Sequence, residues 1–309
     1  MDRENNRRVT VELQQLMRLI EEGNIEQLRE ALGEPLLEKW KLPAYQNIPT
    51  IDRGDTLLSW AIRMKSPEAL DLLMTNLGME FLPETPEVDI EFEEKADLLF
   101  TALEFYDEPT WKTVIQHIDA EKAFRHLGPT GDSVLHAAAR RNITGIFRTL
   151  YTQAGTTLKE KLFLQDSHGQ TALHVAISQG FLTTVLELLE IQPKLIAEQD
   201  HNGETVWHTA VKLNEKQILE NLIKVDANSL RKCDNKNNSA YRTFTEFTLK
   251  FKHVRNNSSP NKELLRHVPQ TVPFDPEIGS MLDKAILNLD LTISEKRKLL
   301  FKEGIVDIV

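Results

Sequence analysis

Apolar residues recur along the chain in short runs at helical spacing, and polar turns interrupt them at regular intervals. The first run, Leu16 to Leu32, reads as two short helices joined at Gly23-Asn24. In the middle of the chain, small residues such as Ala176 and Ala210 end a first helix that another helix can approach closely. An apolar run such as Val185-Leu-Glu-Leu-Leu189 then supplies a second helix that closes the core. Asn256-Asn-Ser-Ser-Pro260 reads as a loop, and Pro269, Pro273 and Pro276 mark an extended stretch. Beyond it, Ile278, Met281, Leu282, Ala285, Ile286 and Leu289 predict a helix from about Pro276 to Leu289, and Ser294 is placed to cap another through Phe301.

The turns themselves repeat. Gly131-Asp-Ser-Val-Leu-His-Ala-Ala138, Gly169-Gln-Thr-Ala-Leu-His-Val-Ala176 and Gly203-Glu-Thr-Val-Trp-His-Thr-Ala210 align without gaps. Gly169 lies 38 residues after Gly131, Gly203 lies 34 after Gly169, and a further 34 reaches the variant Asn237-Asn-Ser-Ala-Tyr-Arg-Thr-Phe244. Upstream, Gly54-Asp-Thr-Leu-Leu-Ser-Trp-Ala61 keeps the frame with Ser59 in place of histidine. Lys95-Ala-Asp-Leu-Leu-Phe-Thr-Ala102 fits as a worn copy between them, its glycine, threonine and histidine all replaced. With the first helix pair, this makes up to seven units.

The pattern resembles the ankyrin repeat, a unit of about 33 residues with a T-P-L-H-x-A-like turn followed by two helices. The resemblance is clear from about Gly128 to Ile223, weaker at Asp52 to Gly78, and rests on spacing at Lys95 to Ile118 and Asp234 to Lys252. It implies an all-α solenoid of stacked helix-turn-helix units with short turn tips over residues 1–252, the first, third and last units degenerate. Residues 253–309 form an extension whose helices cap the last unit. In each turn the glycine supplies a backbone conformation that other residues resist, and Thr171 or its equivalent caps the first helix. One unit has nothing to cover its apolar side, so stacking supplies the cover.

Charge narrows the partners. With 37 basic and 47 acidic side chains the net charge is −10, and a pI near 5.5 argues against a surface built to neutralise phosphates. No segment approaches the roughly 18–20 apolar residues of a membrane span, and the first ten residues lack an apolar signal core. The single cysteine, Cys233, excludes an internal disulfide and suits a reducing compartment. The expectation is a cytoplasmic monomer that binds another protein and neither nucleic acid nor a cofactor.

His136, His174 and His208 are too far apart for a metal centre. One imidazole per unit places them about 8–10 Å apart, whereas zinc needs nitrogens at about 2.0–2.1 Å. They are expected instead to hydrogen-bond with Ser133, Thr171 or Thr205. No P-loop, H-E-x-x-H, G-x-S-x-G or dinucleotide fingerprint occurs, and Ser229-Leu-Arg-Lys232 is a chance S-x-x-K match before a turn. Arg231 and Lys232 would lower the Cys233 thiol pKa if it were exposed, so Cys233 with His201 or His208 is the remaining enzymatic alternative.

Function is therefore expected on a surface. By register with the ankyrin family, contacts come from turn tips and the ends of first helices. These positions are Arg53, Asp55, Arg63 and Met64 in the second unit, and Thr130, Asp132, Arg140 and Arg141 in the fourth. The fifth offers Ser167, His168, Gln170, Ser178 and Gln179; the sixth His201, Asn202, Glu204, Lys212 and Leu213; the seventh Asn235, Lys236 and Asn238. Two insertions add candidates: Gly33–Ile51 with Trp40, Pro43, Tyr45 and Pro49, and Glu80–Glu94 with seven acids and no base. The second mixes acid with Phe81, Leu82, Ile90 and Phe92, as a docking segment for a basic surface would. The leading reading is a non-enzymatic adaptor. The worn repeats are similar to those of ankyrin-repeat effectors that intracellular bacteria deliver into host cells, and an ankyrin-type inhibitor of transcription factors stays open beside it.

Overall fold

The computed structural model describes residues 14–32, 57–76, 98–118, 124, 132–245, 276–290 and 295. Among them every regular element is a helix, and isolated β-bridges pair Gln199 with Thr205 and Cys233 with Ser239. Internal contacts divide the chain into two compact parts, Met1–Ala137 and Ala138–Val309.

The first part holds three helix pairs: 14–21 with Ile25–Ala31, Leu57–Arg63 with Pro67–Asn76, and 98–104 with Glu108–Gln116. Pro67–Asn76 packs on its own partner and on both neighbouring second helices. Leu28, Leu70, Leu73, Trp111 and Val114 are buried there. The joint at Gly23 follows the sequence reading, with Asn24 accepting a bond from the Gln27 N–H at 3.2 Å. The third pair forms although its glycine, threonine and histidine are gone. Its apolar positions Leu99, Ala102, Leu103, Val114 and Ile115 are all buried, and Asp107 caps the second helix through the Thr110 N–H at 3.1 Å.

The second part continues with Ile146–Ala154, Ala172–Ser178 with Leu182–Ile191, and Val206–Leu213 with Lys216–Asp226. Each second helix is followed by a short helical piece that the sequence reading did not single out: Thr156–Lys161, then the 3-10 turns Pro193–Ala197 and Ala227–Arg231. The longer 38-residue step is taken up at the first of these, set off by Gly155.

One geometric rule runs through the pairs. Near the end of the first helix, the same register position holds Ala61, Ala102, Ala138, Ala176 or Ala210, and all five are 0% exposed. Four residues after each, the chain turns through positive φ: Lys65, Tyr106, Asn142, Gly180 and Asn214. The alanine lets the second helix pack close, and the left-handed residue ends the first helix so that the chain can reverse. Lysine and tyrosine are unusual in that conformation, at a cost of about 1–2 kcal/mol, so packing of the pair outweighs local preference.

Adjacent units are tied by histidine. His174 Nδ1 accepts from the Thr171 N–H at 3.3 Å and lies 2.9 Å from Thr171 Oγ1, while Nε2 reaches the Glu204 carbonyl in the next unit at 3.3 Å. His208 repeats this with Thr205 at 3.0 Å and the Asn238 carbonyl at 3.0 Å. His136 Nδ1 lies 2.7 Å from Ser133 Oγ. In His174 and His208 Nδ1 accepts a backbone N–H, which leaves Nε2 to donate to the carbonyl of the next turn. The histidine thus fills the place of the glutamate in a capping box and reaches the next turn with its far nitrogen.

A second tie lies on the second helices. Glu187, within the apolar run of the fifth unit, is 6% exposed. Its carboxylate accepts from the Gly145 and Arg148 backbone N–H groups, both at 2.9 Å, and so caps the helix of the preceding unit, whose own N-cap glycine has no side chain. Asn142 Oδ1 accepts from Thr183 and Thr184, and Arg148 pairs with Glu190.

Glu187→Ala should lower stability by about 1–3 kcal/mol through two orphaned N–H groups; an unchanged denaturant midpoint would contradict this account of the helix cap. Burial, the dominant cause, holds His174 below the ordinary histidine value of 6.5. The unfolded chain therefore binds the proton first, and the contribution of His174 is present above pH 6.5 and lost as pH falls through the folded value. His174→Ala is expected to cost about 1–3 kcal/mol at neutral pH. The gap from wild type should shrink on acidification, as urea midpoints at about pH 7.5 and pH 5 would register.

Candidate functional site

The turn tips of the fifth to seventh units share a frame built on an aspartate. Asp166 Oδ1 accepts from the His168 and Gln170 N–H groups at 2.8 and 2.9 Å. Asp200 does the same for Asn202 and Glu204 at 2.8 and 2.9 Å, and Asp234 for Lys236 and Asn238 at 2.9 and 2.7 Å. The aspartate backbone closes each turn, its N–H donating to the residue four on and its carbonyl accepting from Gly169, Gly203 or Asn237. Partial burial pushes Asp234 upward, but the bonds from Asn238 and Lys236 outweigh it and hold the carboxyl below the usual range. These three aspartates recur at the same 34-residue interval, a signal that lies in the sequence outside the glycine, threonine and histidine slots.

The tips stack through the main chain. The His201 N–H donates to the His168 carbonyl at 3.1 Å, and the Asn235 N–H to the Asn202 carbonyl at 2.9 Å. Gln165 and Gln199 run beneath, donating to the Gln199 and Cys233 carbonyls at 3.0 and 2.9 Å. This closeness fixes the glycines. At Gly169 and Gly203, φ is +76° and +74°, and a Cβ would lie 2.5 and 2.7 Å from the next tip's backbone nitrogen.

On this frame, Ser167, His168, His201, Asn202, Asn235 and Lys236 are exposed, His168 with 79% of its side chain. Gln170, Glu204 and Asn238 are half-buried beside their aspartates. At the first-helix ends Arg140 and Gln179 are exposed, while Arg141, Ser178, Lys212 and Leu213 are half-buried, and Lys212 pairs with Glu204. In the first part Met64 is 37% exposed, and Arg63 lies over the Trp60 ring at 5.6 Å. Asp132 departs from the expected surface: it is 6% exposed, directly before Ser133 and the buried helix Val134–Arg140. Arg53, Asp55 and Thr130, both insertions and, apart from Glu295, the Ser294–Phe301 segment lie outside the described residues.

The thiol alternative meets an opposing environment. Burial first, then Asp234, pushes the Cys233 thiol up rather than down, and Arg242 offsets this only in part. Its sulfur contacts the Arg231 carbonyl at 3.7 Å. Both nitrogens of His208 are committed to Thr205 and Asn238, so that ring holds no lone pair ready to take a thiol proton. Among the described residues no three His, Cys, Asp or Glu side chains converge as metal ligands, and no helix is long and apolar enough to cross a membrane.

Residues 99–197 match the family described as ankyrin repeats (3 copies). A comparison with the curated proteins gives no match. Among solved structures, the chain is similar to the ankyrin repeat domain of Bcl-3, described as a unique member of the IkappaB protein family. The TM-score is 0.53 at 16% identity, over 75% of this chain and 97% of that one. At that identity the likeness concerns the fold. The family match spans the third to fifth units, and the histidine-tied turns continue the pattern in register to Asn238, so this stretch of the chain carries ankyrin repeats.

Proposed function

We propose that the protein is a non-enzymatic adaptor that binds a partner protein through its turn tips and the ends of its first helices. Ankyrin repeats are a scaffold for protein–protein interaction. What supports this particular face is the division of labour at the tips. Their frame is the same three times over, whereas the outward pairs differ: Ser167 and His168, His201 and Asn202, Asn235 and Lys236. Side chains that the frame does not use are free to be selected for a partner. Lys212 and Glu204 engage one another, so among the helix-end positions they offer less charge than the sequence implies.

The inhibitor reading is favoured by one observation, the likeness to a domain described within the IkappaB family. At 16% identity that likeness supports the architecture, and the partner has to be identified directly.

Affinity capture with the intact chain and with a His168→Glu, Asn202→Arg, Lys236→Glu variant tests the face. The variant should keep its melting point, since exposed substitutions typically stay within about 0.5 kcal/mol each, and should lose the partner held by the intact chain. Equal retention by both would overturn the assignment, and a DNA-binding protein among the face-dependent partners would select the inhibitor reading.

A further inference from the structure

We propose that helix Pro276–Leu287 is the second helix of the seventh unit, set 26 residues further along the chain than in the regular units and matched to that unit's first helix by a compensating pair, Phe244 and Gly279. The first argument is placement. In the regular array, Lys216–Asp226 packs against the preceding second helix Leu182–Ile191 and against the 3-10 turn Pro193–Ala197. Pro276–Leu287 makes the same two contacts one unit on, with Lys216–Asp226 and with Ala227–Arg231. It also meets the seventh unit's first helix, where Tyr241 donates to Asp283 and Phe244 lies against Gly279.

The second argument is register. Leu182 and Lys216 each begin 13 residues after Gly169 and Gly203, whereas Pro276 begins 26 residues later than that spacing from Asn237 asks. Once shifted, the core positions coincide. Thr184, Val185 and Leu188 correspond to Ile218, Leu219 and Leu222 and then to Ile278, Gly279 and Leu282; apart from Gly279, all are no more than 1% exposed.

The third argument explains the exception. The small slot that ends the first helix is alanine in the second to sixth units and Phe244 in the seventh. Opposite it, the valine or leucine of the second helix has become Gly279, whose Cβ would come within 3.3 Å of the Phe244 ring. Glycine is unfavourable inside a helix, and here it makes room. One large-for-small exchange is answered by its reverse at the matching position, which a helix docked without regard to register would not need.

Glu277 pairs with Lys216 at the surface, so an exposed ion pair also fixes the helix to the second helix of the sixth unit. In the other described units the two helices are joined by two to five residues, whereas residues 246–275 separate them here.

The test is a double-mutant cycle on the full chain, Phe244→Ala, Gly279→Leu and both together, read by native-state hydrogen exchange. Each single substitution should reduce protection in 240–245 and 278–287 together by more than about tenfold. The pair should restore it to within a few-fold, because it puts back the residue types that the sixth unit carries at these positions, Ala210 and Leu219. Additive losses would overturn the register. Should Phe244→Ala not fold, Phe244→Leu with Gly279→Ala supplies the same cycle.

Discussion

A helix pair of about thirty residues leaves one side of its core bare, and the rest of this structure follows from how neighbours cover it. Coverage alone would let units slide. Registration comes from hydrogen bonds that cross each junction: the imidazole whose near nitrogen caps its own helix and whose far nitrogen reaches the next turn, as at His174 and His208. Glu187 does the corresponding work on the opposite helices, between the fourth and fifth units. Buried polar groups like these are costly unless satisfied, which is why they specify one arrangement.

The same registration brings the turn tips within main-chain bonding distance and holds their outward side chains at fixed positions. A surface of this kind spends little conformational entropy on binding, because its frame is already ordered by Asp166, Asp200 and Asp234. Reactivity at Cys233 would need a stabilised thiolate, and burial beside Asp234 works against one. Selection on such a scaffold acts on the exposed pairs while leaving the frame intact.

Much of this was legible in the sequence. The glycine, threonine, histidine and alanine slots carry local geometry that only those residue types supply cheaply, so the repeat shows wherever they persist. The third unit and the first could be placed by apolar spacing because their core is apolar even where the turn is worn. What was not legible depends on burial and on partners distant in sequence. Glu187 reads as a solvated acid until the helix it caps is beside it, Asp132 reads as a tip residue until it is found buried, and basic neighbours at Cys233 mislead because Asp234 and burial decide its environment. The C-terminal helix was visible as an amphipathic segment, but its place beside Phe244 is encoded in a compensating pair that only packing brings together.

The most direct measurement on the adaptor account is a hydrogen-exchange footprint of the protein bound to a captured partner against the free chain. The account predicts added protection at 167–168, 201–202 and 235–236 and at the first-helix ends 178–179 and 212–213, with the outer second helices 182–191 and 216–226 unchanged. Protection confined to those second helices, with the tips exchanging as in the free chain, would contradict it.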